Sequence, residues 1–189
     1  MTDKQTALDH WDEYVAQSRP CTPAEMAARV ARWGTIPSSS RSFADTWVPG
    51  HERVLYSVIG SGVHEDPNFK PAIAAADNFV VDYIVAPPGC GAALHAHDSE
   101  EVFVVITGRL AVHWGDEGEH HVVLAERDVI SVPPFVMRAF RNLGDREHTL
   151  LSILGGGNPG HVKWARKLAE AAKARGVGFD DAGNAVKFD

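Results

Sequence analysis

Cysteine is scarce in this chain, with only Cys21 and Cys90 among 189 residues. The two are far apart in the sequence, and neither belongs to a metal-type or redox-type pair, so the sequence argues against a disulfide framework. A reducing compartment suits such a chain, and we expect a cytoplasmic protein.

Long apolar runs and clusters of basic residues are also lacking. No stretch approaches the roughly 18 consecutive apolar residues of a membrane-spanning helix, and the first residues do not resemble a signal peptide. Lys and Arg number 18 against 25 Asp and Glu, which gives a net charge of −7. With no basic stripe to follow a phosphate backbone, we expect neither a membrane nor a nucleic acid as partner.

The first 50 residues read as a helical extension. Apolar residues at helical spacing predict a first helix over residues 6–18. Thr22 and Glu25 form a capping box around Pro23, which predicts a second helix that ends at Gly34. Residues 35–50 read as an irregular connection.

The character of the sequence changes at about residue 53 to many short β-rich runs separated by Gly, Pro and Asp, which is typical of an antiparallel sandwich or barrel. Asn158 as N-cap and Pro159 predict a C-terminal helix up to Gly176, followed by a short final strand. We therefore expect an all-β domain over residues 51–157, a helical extension over 1–50, and a C-terminal helix and tail over 158–189.

One segment carries the chemistry. Side chains alternate faces along a strand, so His95, His97 and Glu101 share one face, and Phe103 continues it. Two imidazoles and a carboxylate form a set suited to Fe(II), Mn(II), Ni(II) or Zn(II), with open positions for water or substrate. A hairpin at residues 107–108 would pair Glu101 with Trp114 and turn Trp114 inward.

This segment resembles the first motif of the cupin family. Gly89, His95, His97, Glu101 and Gly108 meet every spacing of that motif. The resemblance implies a jelly-roll-like antiparallel β-barrel with a metal site at His95, His97 and Glu101.

A second cupin motif is recognisable over residues 128–142, in Asp128, Pro133 and Asn142. Arg127 and Phe135 stand where the family usually has glycine. The resemblance covers about residues 80–155.

Arg138 stands where the family usually has its fourth metal ligand, a histidine. A guanidinium cannot ligate a metal, so Arg138 has two alternative roles. Close to Glu101 it would compete with a metal for the carboxylate. Turned toward the pocket it would act catalytically by orienting an anionic substrate group. The remaining pocket residues that we predict are Phe103, Trp114, Phe140 and Tyr83.

The function that we favour is a small-molecule oxidoreductase resembling cupin dioxygenases, with Fe(II) or another divalent metal ion as cofactor. The alternative is a metal-free cupin that binds a small acidic ligand without turnover, because fold alone does not define function. A sensor fused to a DNA-binding domain is disfavoured because no basic recognition helix is present. An isomerase would need an acid such as Tyr83 opposite a base, and no such pair stands out.

We predict a homodimer, because the first 50 residues carry more apolar helical surface than a small barrel needs and because exposed edge strands need cover. Light scattering at micromolar concentration should give twice the mass of the chain. A mass of one chain would contradict the prediction.

Overall fold

The computed structural model describes Val15 and residues 18–187, and it divides the chain into two units, Met1–Val30 and Ala31–Asp189. In the first unit the capping box forms as predicted, with Glu25 N–H donating to Thr22 Oγ1 and Thr22 N–H donating to Glu25 Oε2. The helix is shorter than predicted: it ends at Ala27, whereas the sequence predicted an end at Gly34. The helix predicted over residues 6–18 lies outside the described residues except for its last part, where Val15 is helical.

The second unit is built almost entirely from antiparallel strands, as the sequence predicted. Its only α-helix in the described residues is Arg166–Lys173. Two 3-10 turns lie before Val54, one on each side of the short strand Ser38–Ser39. The helices are Pro23–Ala27 (α1) and Arg166–Lys173 (α2), the 3-10 turns are Trp33–Thr35 and Ala44–Trp47, and the strands are Ser38–Ser39 (β1), Val54–Ile59 (β2), Phe79–Ala86 (β3), His95–Ala96 (β4), Glu101–Val105 (β5), Arg109–Trp114 (β6), His120–Ala125 (β7), Val129–Val132 (β8), Arg138–Asn142 (β9), His148–Gly155 (β10), Lys163–Trp164 (β11), Val177–Phe179 (β12) and Ala185–Lys187 (β13).

Two sheets face each other across the core. The first has the strand order β1-β2-β3-β10-β5-β8, and the second has the order β11-β4-β9-β6-β7. Apolar side chains from both sheets, among them Val80, Phe103, Val112, Phe140 and Leu150, fill the space between them. This is the arrangement of a jelly roll: from β3 to β11, strands that follow each other in the chain belong to opposite sheets, except for the pair β6 and β7.

The predicted hairpin between β5 and β6 is wrong for that reason. β5 pairs with β10 and β8, whereas β6 pairs with β7 and β9 in the opposite sheet. Glu101 therefore lies opposite Leu154 and Val132 rather than opposite Trp114.

The C-terminal segment also differs from the prediction. Asn158 and Pro159 do not begin a helix; Trp164 belongs to β11, which pairs with β4, and the helix begins only after Ala165. Leu168 and Ala172 are the buried residues of that helix. Because β1 and β11 join the two main sheets, the barrel recruits strands from both sides of residues 51–157.

No helix in the described part of the chain is both long and apolar enough to cross a membrane.

Candidate metal centre

The structure brings His95, His97 and Glu101 together, as their spacing predicted. His95 lies in β4, His97 directly follows that strand, and Glu101 opens β5. All three side chains are buried, and one potential ligand atom from each lies within 4.8 Å of the others. This is the one such group of three or more His, Cys, Asp or Glu side chains among the described residues.

The atoms of this group converge on one carboxylate oxygen. Glu101 Oε2 lies 3.5 Å from His97 Nε2 and 4.0 Å from His95 Nε2. Two donors that each bind one ion at about 2.1 Å lie about 3.0 Å apart at octahedral angles and about 3.4 Å apart at tetrahedral angles. The separation between His97 and Glu101 is close to these values, and His95 and Glu101 would have to move closer together to share an ion.

The backbone fixes the protonation of His95. Its Nδ1 lies 2.6 Å from the carbonyl oxygen of Ala93, which can only accept a hydrogen bond, so Nδ1 carries the proton. Burial and, after it, the neighbouring His97 lower the pKa of His95 to about 3, which keeps the ring neutral. Nε2 then turns a lone pair toward Glu101, as a metal ligand does.

Glu101 keeps its negative charge although it is buried. Burial alone would raise its pKa, but His97, His95 and Arg138 together outweigh burial and lower that pKa to about 2. Oε1 accepts a hydrogen bond of 2.8 Å from the hydroxyl of Ser152. Oε2 is buried and has no hydrogen-bond partner. The charged oxygen that faces both imidazoles is thus free to bind a cation.

Arg138 lies directly opposite His95 in the β4–β9 pair and is fully buried. Its Nε is 3.6 Å from Glu101 Oε2, and its Nη2 donates to the carbonyl of Pro133. Burial lowers the pKa of Arg138, and the charge of Glu101 opposes that shift. Of the two roles considered for Arg138, this placement matches pairing with Glu101, because Arg138 does not line the cavity described next.

A small cavity of about 30 Å³ lies in front of the three potential ligands, large enough for about two water molecules. Phe103 and Phe140, both predicted pocket residues, line it and contact each other edge to face. Trp164 lines it as well, with its ring 5.4 Å from that of His95. The full lining is Phe43, Arg53, Leu55, Val63, Asp82, Ile84, Ala92, His95, His97, Glu101, Phe103, Phe140, Ser152, Leu154, Val162 and Trp164.

Two other predicted pocket residues lie outside this cavity. Tyr83 is on the opposite face of β3, where it packs edge to face against Trp33. Trp114 lies at the end of β6 in a separate apolar pocket with Val112 and Val136. Both corrections follow from register, since Tyr83 alternates with its inward neighbour Asp82 and β6 belongs to the sheet opposite β5.

Sequence reasoning missed several polar residues of the cavity. Asp82 and Ser152 are neighbours on β3 and β10, and both face inward. Arg53 also lines the cavity, where it forms a buried ion pair of 2.8 Å with Asp45. The signal for Asp82 was an acidic residue inside the otherwise apolar run FVVDYIVA.

Glu65 supports the cavity from behind. Its Oε1 accepts a hydrogen bond of 2.7 Å from the indole of Trp164, and its Oε2 accepts one of 2.6 Å from the amide of Ala44. Burial raises the pKa of Glu65 to about 7 although both hydrogen bonds oppose that shift. Glu65 thereby fixes the ring that packs against His95.

Comparison with known proteins agrees with this geometry. Residues 82–154 match the family described as the cupin domain. Together with the two-sheet fold, this match identifies residues 82–154 as a cupin domain. No curated protein matches the chain.

Solved structures with the same fold include the polyketide cyclase RemF from Streptomyces resistomycificus, which is 13% identical, with a TM-score of 0.53 over 71% of this chain and 82% of that one. An RmlC-like cupin from Shewanella frigidimarina NCIMB 400 is 15% identical, with a TM-score of 0.47 over 67% and 88%. A protein with a double-stranded β-helix domain from Klebsiella pneumoniae subsp. pneumoniae MGH 78578 is 24% identical, with a TM-score of 0.44 over 48% and 79%.

Asp82 should make stability depend on pH in the metal-free protein. Burial raises the pKa of Asp82 to about 7, against the opposing hydrogen bonds from Ser57 and Val58. A carboxyl whose pKa is raised on folding contributes its full stabilisation at pH values below its pKa in the unfolded chain, which is about 4. This contribution is lost as the pH rises to 7. Asp82→Asn removes the titration, so its stability relative to wild type should rise by up to about 3 kcal/mol between pH 5 and pH 8.

Urea unfolding with a chelator present, at pH 5, 6, 7 and 8, measures this difference. Asp116→Asn is the control, because it removes the same charge from an exposed residue. A difference between Asp82→Asn and wild type that stays constant over this range would contradict the prediction.

Proposed function

We propose that this cupin holds a divalent metal ion on His95, His97 and Glu101 and uses it in a small-molecule oxidoreductase reaction of the cupin dioxygenase type. Fe(II) is favoured, and Mn(II), Ni(II) and Zn(II) suit the same ligands. When bound, the ion would supply Lewis-acid activation and, as Fe(II), one-electron and oxygen chemistry.

One observation carries the proposal. The lone pair of a neutral His95 and an unpartnered oxygen of the ionised Glu101 point at each other across 4.0 Å, inside the protein. Two electron-rich atoms in that position repel each other unless a cation lies between them, and buried charges are normally paired or bound to a metal. His97 Nε2, at 3.5 Å from the same oxygen, supplies the third ligand.

The cavity supports a reaction of a small molecule at this position. Its walls of Phe103, Phe140 and Trp164 exclude bulk water, and its volume of about 30 Å³ admits a diatomic gas or two waters. A larger substrate requires the wall to move, and Val162 and Trp164 are the parts of the wall that the C-terminal segment contributes. We further propose an anionic substrate, which would meet Arg53, because Arg53 lines the cavity and its Nε has no hydrogen-bond partner.

Arg138 favours a second candidate, a metal-free cupin that binds a small acidic ligand without turnover. Its guanidinium carries a full charge 3.6 Å from Glu101 Oε2 and so neutralises the carboxylate without any ion. Such a pair could contribute roughly 4 kcal/mol at an effective dielectric constant of 20. Arg138 nevertheless leaves Oε2 without a hydrogen bond, which is why the metal-binding function is preferred.

His95→Ala or His97→Ala should abolish tight binding of Fe(II) or Mn(II) and leave the fold intact, because each variant removes a ligand at the edge of the core. Elemental analysis of protein purified without chelators, and again after reconstitution, measures the metal. His113→Ala, on β6 and outside the cavity, should bind like wild type. Wild-type protein with well under one metal ion per chain in both preparations would favour the metal-free candidate.

Arg138→His should raise the affinity for a divalent ion on the order of tenfold or more, since it adds a ligand directly opposite His95 and removes a positive charge near the ion. Calorimetric titration with Mn(II) tests this. Arg141→His is the matched control, because it makes the same change on the exposed side of β9. Equal affinity in both variants and wild type would show that Arg138 does not limit metal binding.

A further inference from the structure

Asp82 is a buried acid that neither the metal site nor the fold accounts for. It lies in the middle of β3, is 5% exposed, and lines the same cavity as His95, His97 and Glu101. Its neighbours across the sheet are Ser57 on β2 and Ser152 on β10. A polar row thus crosses an otherwise apolar sheet in front of the metal centre.

In this row Ser152 lies between Asp82 and the potential ligand Glu101. Ser152 donates to Glu101 Oε1 at 2.8 Å, and Asp82 is paired with Ser152 on the side away from β5. Asp82 does not belong to the group of atoms within 4.8 Å that could hold one ion. It therefore borders the space in front of the ion instead of ligating it.

The carboxyl of Asp82 is buried and not satisfied. Ser57 and the backbone of Val58 lie close enough to lower its pKa against the effect of burial, while Oδ1 is buried without a hydrogen-bond partner. The charge that acts on it is the like charge of Glu101. Burying a carboxyl with a free oxygen and no cation is costly, so the missing partner is expected from a molecule in the cavity.

We propose that Asp82 determines the specificity of the cavity by accepting a hydrogen bond from an N–H or O–H group of the bound ligand. A ligand that instead presents an anionic oxygen at this end is rejected by charge repulsion. This inference rests on the proposed function, because the ligand is taken to occupy the space in front of the metal ligands. It assigns two lining residues of the cavity opposite preferences, a hydrogen-bond donor at Asp82 and an acceptor at Arg53.

Two small probes test the inference. Hydroxylamine is neutral and offers both N–H and O–H donors, whereas azide is an anion without a donor. At pH 8 the Co(II)-loaded protein is titrated with each probe, and binding is measured from the visible absorption of Co(II). The metal-free protein is titrated in the same way, and binding is measured from the rise in melting temperature that a bound molecule causes. The variants are Asp82→Asn, with Asp82→Ala as a second, and Asp116→Asn as the charge-matched control.

Asp82→Asn should take up Co(II) like wild type. It should bind hydroxylamine on the order of tenfold more weakly, since a hydrogen bond to a charged acceptor is lost. It should bind azide on the order of tenfold more tightly, since a negative charge near the anion is gone. A purely structural role for Asp82 would weaken both probes together, so changes of opposite sign distinguish the two.

Failure of the wild-type protein to take up Co(II) would overturn the proposed function. The melting temperatures of the metal-free protein would then still test whether Asp82 determines which probe binds. A weakened hydroxylamine response together with a strengthened azide response in both Asp82 variants, with both responses unchanged in Asp116→Asn, supports the inference in either form. The same response to each probe in wild type, Asp82→Asn and Asp116→Asn overturns it. No response of wild type to hydroxylamine in either form overturns it as well.

Discussion

The site depends on the charge of Glu101. A carboxylate in a protein interior must be compensated: Ser152 donates to one oxygen of Glu101, while His97 and the charged Arg138 face the other. Without these groups burial would protonate the acid and leave a neutral polar pocket. With them the pKa falls to about 2, and the site presents a negative oxygen to whatever cation can reach it.

Arg138 and a divalent ion are alternative partners for that same oxygen. The guanidinium is held by its own strand and by a hydrogen bond to the carbonyl of Pro133. Its charge compensates the carboxylate without an ion and would lower the affinity for an ion at the proposed metal site. A fourth histidine at this position would add a ligand and would leave the carboxylate without that compensation.

The parts of the site that the sequence predicted are those fixed over a few residues. His95, His97 and Glu101 share a face because alternation needs only one short stretch of extended chain, whereas the position of Trp114 required knowing which strand pairs with β5. A jelly roll sends β5 and β6 to different sheets, and nothing local signals that crossing. The prediction of Tyr83 as a pocket residue is wrong for a related reason: both faces of β3 are rich in apolar residues, so alternation does not distinguish the inward face from the outward face.

Capping signals also required tertiary context. Asn158 and Pro159 match the start of a helix, but the Asn158 side chain accepts a hydrogen bond from Gly160 in a local turn. The chain stays irregular up to β11, where Trp164 pairs with His95 of β4. Packing of Trp164 against His95 and its hydrogen bond to Glu65 outweigh the local preference for a helix.

Two substitutions in the second cupin motif show how the site keeps its geometry. Arg127 and Phe135 replace glycines that the family usually has, and both adopt the left-handed backbone, with φ of 72° and 63°. Each such residue costs about 1–2 kcal/mol, so the rest of the fold must enforce these turns. The backbone N–H of Phe135 donates to the carbonyl of His97 at 2.8 Å, and that of Arg127 donates to Val105 at 2.8 Å. The first of these bonds holds the backbone of His97, one of the three potential ligands, so relaxing the strained turn at Phe135 would displace His97.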